Sequence, residues 1–495
     1  MSLSQPKPLP WAAIDMGSNS FRLEIGHVLR GRYKRELYLK DIVRLGAGLD
    51  AQGMLTDAAA ERGLAALASF AEHLRDFPPE RVRAVATQTL REARNRNDFL
   101  VKAQTALGHP IEVIAGREEA RLIFAGVSRL QPSAQRRLVI DIGGRSTEMI
   151  LGHGTHPERA ESFQIGSVSL TMRFFADGKL TAEAFRAAQI AAGAELEEAL
   201  NIFPAGAWEE ALGASGTVGA VSQVLLAAGL TDGRITPEAL AWCIEHCIQA
   251  GDISRLDLPG LKDDRRLVLA GGLCVLYTLL TQFGIKELLA SKGALRQGVI
   301  FDLAERHGAR ASELRSHTVA DLQQRFAVDT AHAQRVSDKA ERLYRQLCPN
   351  PAPELLRELR WAAAIHEVGM VVSHHDHHRH SAYLIGHVDA PGFSQNQLQR
   401  LANLALGQRG RLRKLEAALA DETLLWQLLA LRLAVIVCHS RQPRHPQGLK
   451  LTRQERRVML TWPTAWRAEQ ARTIFLLKEE AEAWRRNGVL DLSYA

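Results

Sequence analysis

The sequence predicts an α/β fold built by duplication, with a cleft between the two copies, followed by a largely helical second half. Three observations carry this expectation. Two similar Gly/Ser turns, Asp15-Met-Gly-Ser-Asn-Ser20 and Asp141-Ile-Gly-Gly-Arg-Ser-Thr147, recur 126 residues apart. Strand-like apolar runs alternate with helical periodicity up to residue 305, and the pattern beyond is nearly all helical. The charge changes at the same place. Residues 1–304 carry 34 Lys+Arg against 35 Asp+Glu, a net of −1; residues 305–495 carry 28 against 20, a net of +8, with 12 of the 18 histidines.

Taken in order, residues 2–10 read as a short disordered lead without the basic-then-apolar pattern of a secretory signal. Apolar runs at 11–14 and 138–140 each precede a turn, and runs at 21–25 and 149–151 each follow one. Each unit is therefore a strand ending in Asp, a tight turn and a returning strand. Between them, a strand at 111–114 leads through Gly116 into a helix carrying Glu118 and Glu119. Later come Gly213-Ala-Ser-Gly-Thr217 and Lys292-Gly-Ala-Leu-Arg-Gln-Gly298. Apolar residues at 3.6 spacing predict helices over 331–347, 354–365, 396–405 and 421–438, then a strand at 457–462 and a helix at 465–486. No run approaches the ~18 apolar residues of a membrane span. The five cysteines (243, 247, 274, 348, 438) read as reduced core residues of a cytoplasmic protein. Cys243, Cys247 and His246 share a helix without the further ligands a zinc site needs.

Glycine lets a backbone approach a ligand closely, and the N–H groups of such turns form concavities that attract anions. Ser18, Asn19, Ser20, Ser146 and Thr147 add donors without negative charge. One such turn is ordinarily only a hairpin. Two of them in duplicated settings point to a phosphate held from both sides.

These stretches, with Gly63-Leu64, Thr89-Leu-Arg-Glu-Ala93 and Arg379-His-Ser-Ala-Tyr383, resemble the exopolyphosphatases and guanosine pentaphosphate phosphohydrolases. That family belongs to the sugar kinase, Hsp70 and actin superfamily, and the resemblance covers essentially the whole chain. It implies two actin-like (ribonuclease H-like) ATPase domains at 1–124 and 125–304, a helical HD-like domain at 305–445 and a small α+β domain at 446–495. It implies phosphate binding by Gly17, Ser18, Asn19 and Ser20, by Gly143, Gly144, Arg145, Ser146 and Thr147, and by Ser215, Gly216 and Thr217. Asp141 and Glu148 resemble the Mg²⁺-associated acids of the superfamily, though a strand-end Asp bonding turn amides is the other reading. Asp15 is placed as a secondary metal or turn-stabilising residue. Mn²⁺ is an alternative to Mg²⁺, and K⁺ an accessory ion. Glu119 matches the catalytic glutamate that orients or deprotonates water, which leaves Glu118 as a solvated or capping residue. Arg91 resembles a phosphate-facing arginine, whose planar fork suits phosphate.

Two departures stand out. Arg145 replaces the third glycine of the second turn, a strain if that position needs φ > 0, or else an extra phosphate contact. In the helical half, the His-Asp metal pair of HD domains is His366-Glu367, and the late helix lacks the expected Asp, so the metal site reads as degenerate. The run Ser373-His-His-Asp-His-His-Arg-His-Ser381 reads as hydrogen-bond donors and partial cations before it reads as a metal site. Basic runs at Arg409, Arg411, Arg413 and Lys414, and at Arg441, Arg444 and His445, with His378 and Arg379, suit a track for a long polyanion. Without aromatic interleaving they do not suggest a specific nucleic acid. The leading expectation is therefore Mg²⁺-dependent, processive hydrolysis of inorganic polyphosphate. Guanosine pentaphosphate is the alternative substrate, and a non-hydrolytic polyphosphate or alarmone sensor the alternative class. The family resemblance adds a homodimer and no membrane partner.

Overall fold

The computed structural model describes residues 9–29, 32–306, 311–442 and 447–495. The chain divides into two compact units, Met1–Ala311 and Ser312–Ala495.

The first unit is a duplication at the level of sheet topology. Its first sheet comprises β1 (Trp11–Met16), β2 (Phe21–Leu29), β3 (Arg32–Asp41), β4 (Val82–Ala86) and β5 (Ile111–Val113), in the order β3-β2-β1-β4-β5. Its second comprises β6 (Arg136–Ile142), β7 (Thr147–His153), β8 (His156–Phe163), β9 (Glu210–Ala214) and β10 (Leu289–Ala290), in the order β8-β7-β6-β9-β10. In both, the first three strands form an antiparallel meander and the last two run parallel to the first. Both meanders carry a register shift at a glycine, Ile25/Gly26 and Leu151/Gly152. Central strands β1 and β4 are buried throughout, as continuous apolar runs should be, whereas β3, at an edge, has no buried residue.

The expected division at residue 125 falls inside a helix, Gly116–Leu130. That helix keeps Ala120, Ile123, Phe124 and Val127 in one core with Val85 of the first sheet and Val139 and Ile150 of the second. A continuous apolar face leaves no place for a linker there.

In the second unit the helices run Thr330–Leu347, Pro353–Ile365, Gln395–Gly407 and Glu422–Cys438, with a further helix at His377–His387. The single helix expected at 465–486 is two, Trp466–Glu469 and Ala471–Asn487, parted at Gln470 (φ −129°). A small sheet of β11 (Lys450–Gln454), β12 (Arg457–Thr461) and β13 (Asp491–Tyr494) completes the unit. It is not a separate C-terminal domain. Leu451, Val458, Leu460 and Leu492 share one core with Trp426, Leu428, Leu477 and Trp484. A sheet this small buries too little apolar surface to stand alone. Among the described residues no helix is long and apolar enough to cross a membrane. Arg444 and His445 lie outside the described residues.

Candidate active site

The two Gly/Ser turns face each other across a narrow cavity of about 80 Å³ in the first unit. Each turn sits between a central strand and its antiparallel neighbour, β1/β2 and β6/β7. Their approach is set by Gly144, where a Cβ would lie 3.0 Å from the Ser18 Cβ and 3.6 Å from the Asn19 nitrogen. Any side chain there would wedge the turns apart. The cavity is lined by Asp15, Gly17, Ser18, Asn19 and Ser20 on one side and by Asp141, Gly143, Gly144 and Ser146 on the other, with Glu119, Ser215, Gly216 and Thr217.

Ser215 opens a helix (Ser215–Ala227) directly after β9 with φ 76°, a left-handed conformation unusual for a residue with a side chain. Its hydroxyl donates to the Ile142 carbonyl at 2.7 Å, as does that of Thr217 at 3.3 Å. Thr147 is different. It is fully buried, its hydroxyl donates to the Ile165 carbonyl at 2.6 Å, and it does not line the cavity. Pairing of Thr147 with Ile142 in the β6/β7 ladder turns it away from the cleft.

Arg145 also departs from expectation. It has no positive φ, so no strain arises, and it does not line the cavity. Its Nε donates to Glu92 at 2.9 Å and its Nη1 to the Gly46 carbonyl at 3.1 Å, linking the second turn to the first half of the unit.

Four buried carboxylates gather at the cleft: Asp15, Glu119, Asp141 and Glu148. Asp141 and Glu148 are cross-strand partners and so share a face of the sheet. Burial, then the Glu119 charge, pushes the Asp141 carboxyl up to about 7. Burial, then Glu119 and Asp141, raises Glu148 as well. Glu148 lies behind the cavity wall, accepting from the Ser162 hydroxyl at 2.7 Å. Such mutual repulsion among Glu119, Asp141 and Glu148 would be relieved by a bound cation, and oxygen-only donors suit a hard divalent one. The cleft acids do not close into a tight cage. Among the described residues, the one group of three or more His, Cys, Asp or Glu side chains with ligand atoms all within 4.8 Å of one another is His332, His366 and Glu367. A looser set fits Mg²⁺, which keeps several of its waters.

Glu119 lies in the first turn of the helix Gly116–Leu130 and is raised by burial, with Arg91 opposing. Arg91 does not face the cavity. Its Nη1 donates to Glu119 Oε2 at 2.8 Å and to the Ile114 carbonyl at 2.9 Å, and its Nε and Nη2 to Gln88 Oε1. With its donors engaged, it positions Glu119. Glu118 is neither solvated nor a cap. It is 3% exposed and chelates Arg121, which also binds Asp302.

Three cavity-lining arginines carry no role in the sequence reading: Arg22, Arg265 and Arg296. Arg296 donates to Asp15 at 3.3 Å and to the fully buried Glu24 at 3.1 Å, which Gln297 also binds. Arg22 lies 3.6 Å from Asp15 and its Nε has no partner. Arg265 lies over Gly216, where a Cβ would meet its guanidinium at 2.0 Å, and burial and Arg22 push it below its ordinary value. Two facing guanidiniums without full carboxylate partners are a ready anion site. Arg296 falls within the 292–298 stretch, and Arg22 follows the first turn by two residues; Arg265 had no local signal.

In the second unit, Arg409, Arg411, Arg413 and Arg379 are exposed, Lys414 is partly buried and His378 is buried. Lys414 donates to the Arg409 carbonyl at 2.9 Å, and burial lowers it to about 8. His378, held at about 4 by burial, is a neutral packed group rather than part of a surface track.

The Ppx/GppA phosphatase family model matches residues 37–307, and the model of Ppx/GppA phosphatase domain III matches residues 314–481. The chain belongs to the Ppx/GppA phosphatase family. Relatives within it include a guanosine-5′-triphosphate,3′-diphosphate pyrophosphatase of Photobacterium profundum, 37% identical over 95% of both chains. Another of the same name, from Vibrio cholerae, is 36% identical over 97% of both. Among solved structures, the Ppx/GppA family member of Aquifex aeolicus matches at 25% identity and TM-score 0.51, over 61% of this chain and 99% of that one. An exopolyphosphatase from Cytophaga hutchinsonii (24%, TM-score 0.54, 60% and 98%) shares the fold. The paired actin-like sheets of the first unit are thus those of a Ppx/GppA phosphatase.

Proposed function

We propose that the protein hydrolyses the terminal 5′ phosphoanhydride of guanosine pentaphosphate, giving guanosine 3′,5′-bis(diphosphate) and orthophosphate. The carrying observation is the end-to-end likeness, at 36–37% identity, to proteins named for that nucleotide. This reverses the order expected from the sequence, which placed inorganic polyphosphate first on the strength of the basic second half. Burial of His378 and partial burial of Lys414 weaken that argument.

The two turns receive the terminal phosphoryl group through backbone N–H groups and the hydroxyls of Ser18, Ser20 and Ser146. Arg22 and Arg265 offer guanidiniums to the remaining phosphates. Glu119, fixed by Arg91, orients a water in line with the scissile bond and takes its proton as the oxygen–phosphorus bond forms and the bridging bond breaks. Asp141, which lines the cavity, would hold Mg²⁺, with Glu148 behind it adding negative charge; when bound, the ion neutralises phosphate oxygens. Phosphate release from guanosine pentaphosphate and from long polyphosphate, measured side by side, tests the reading. The expected result is a higher kcat/KM for the nucleotide and one phosphate released per molecule. A higher value for polyphosphate would restore the first expectation.

A further inference from the structure

The second unit contains a constellation of ligand-type side chains that the cleft chemistry does not use. His332 lies in the first turn of the helix Thr330–Leu347, held there by the Asp329 cap, which accepts from its backbone N–H at 2.9 Å. His366 and Glu367 directly follow the helix Pro353–Ile365. All three are buried, His366 completely.

Their hydrogen bonding fixes what each can offer. His366 Nδ1 lies 2.7 Å from the Ala363 carbonyl, which can only accept, so Nδ1 carries the proton. Its Nε2 lone pair then points into the interior without a protein partner. A backbone carbonyl on one imidazole nitrogen is the usual support for a metal on the other. Glu367 Oε1 lies 4.0 Å from His332 Nε2, and the ligand atoms of all three residues lie within 4.8 Å of one another. Beside them Gln408 donates through Nε2 to the His366 carbonyl at 2.5 Å, leaving its Oε1 buried and unpartnered. Buried acceptors without donors are rare in folded proteins, and here two converge beside a carboxylate.

We propose that His332, His366 and Glu367 bind one divalent transition-metal ion of the Zn²⁺ class, with its remaining coordination positions open to the adjoining cavity. Two imidazoles and one carboxylate suit Zn²⁺, Co²⁺ or Ni²⁺ and not Mg²⁺. Glu367 supplies a carboxylate where the pair has an aspartate, while the late helix still lacks the expected Asp, which leaves that coordination position to water. The ligand atoms need to draw in by about 1 Å to reach metal-bonding distances. A cavity of about 520 Å³ in front of the site leaves room for water or an exogenous ligand. Arg441 now occupies the position of the counter-charge: its Nη2 donates to Glu367 Oε1, and its Nη1 to Asp329 at 3.3 Å. Metal binding would exchange the first contact and leave the second. The site is independent of which phosphoanhydride the cleft hydrolyses.

The test uses the metal-stripped full chain carrying His374→Ala, His375→Ala and His380→Ala, which removes the surface imidazoles that could chelate adventitiously. Titration with Co²⁺ should give one tight equivalent with visible ligand-field absorption, displaced by Zn²⁺ and unaffected by excess Mg²⁺. Glu367→Gln and His366→Gln should each weaken binding at least tenfold, with folding checked by circular dichroism. Arg441→Gln should tighten it several-fold, because it removes a competitor for Glu367; a purely structural ion pair would give only destabilisation. Absence of a stoichiometric Co²⁺ equivalent overturns the proposal. So does tight binding that survives Glu367→Gln, or an Arg441→Gln variant that folds but binds no tighter.

Discussion

In the proposed mechanism Glu119 does the chemistry and Arg91, bonded to it at 2.8 Å, holds it in place. Glu119→Gln should lower phosphate release by roughly 10²–10⁴-fold while leaving nucleotide binding intact, since the amide keeps the shape but cannot take a proton. Arg91→Gln should lower kcat by a smaller factor, about tenfold or more, with KM little changed, because Arg91 does not line the cavity. A rise in KM with unchanged kcat would return Arg91 to a phosphate-facing role. Asp141 carries the pH dependence. Its folded-state carboxyl, raised to about 7, lies above the ordinary ~3.9, so the folded chain holds that proton more tightly than the unfolded one. Its contribution to stability is therefore present at low pH and lost as pH rises from ~4 to about 7. On the proposed role of Asp141, Mg²⁺ displaces the same proton, so the half-saturating Mg²⁺ concentration should fall about tenfold per pH unit up to that point. Thermal melts should show a larger Mg²⁺ stabilisation at pH 8 than at pH 5.5. Asp141→Asn should melt higher than the parent at pH 8 without metal, and show no Mg²⁺ response. The place of Glu119 at the cleft was legible because its position follows from a local motif. The partners of Arg91 and the places of Arg22, Arg265 and Arg296 at the cavity were not, since those contacts join residues far apart in sequence.

At the scale of elements, the short helix Gln88–Glu92 does two jobs at once. Through Arg91 it fixes Glu119, and through Glu92 it takes hold of Arg145 in the second turn. The Arg145–Glu92 pair is about a quarter exposed, so its worth to global stability is modest, ~0.5 kcal/mol or less. Its effect should appear in the geometry of the cleft instead. Arg145→Gly is expected to leave the melting temperature within about 2 °C of the parent while lowering kcat/KM several-fold, because the second turn loses its tie to the first half. A fall in melting temperature without loss of kcat/KM would make the pair a stability element only. The two turns themselves could be read from Asp, Gly and Ser following apolar runs. The helix Gly116–Leu130 could not be bounded that way, since its apolar face serves both sheets and continues past any local stop signal.

For the whole molecule, the division of charge matters more than any single basic residue. The first unit is nearly neutral over residues 1–304 (net −1), while residues 305–495 carry +8. The Aquifex aeolicus relative matches over 99% of its own length but only 61% of this chain, a span close to the size of the first unit. A chain ending at Arg306 should therefore fold and keep the proposed Mg²⁺-dependent hydrolysis of guanosine pentaphosphate. The nucleotide's phosphates are short enough to be met by Arg22, Arg265 and the two turns, so its KM should change by less than ~3-fold. Long polyphosphate would be attracted by the net charge of residues 305–495 as well as by the cleft, and a slope in log salt would measure that gain. Its KM should rise more than ~10-fold on truncation at 50 mM salt, and the difference from the full chain should shrink at 200 mM, where the screening length falls below ~10 Å. Equal KM changes for both substrates at both salt concentrations would mean that the basic half does not act through its charge, and that its part in the protein lies elsewhere.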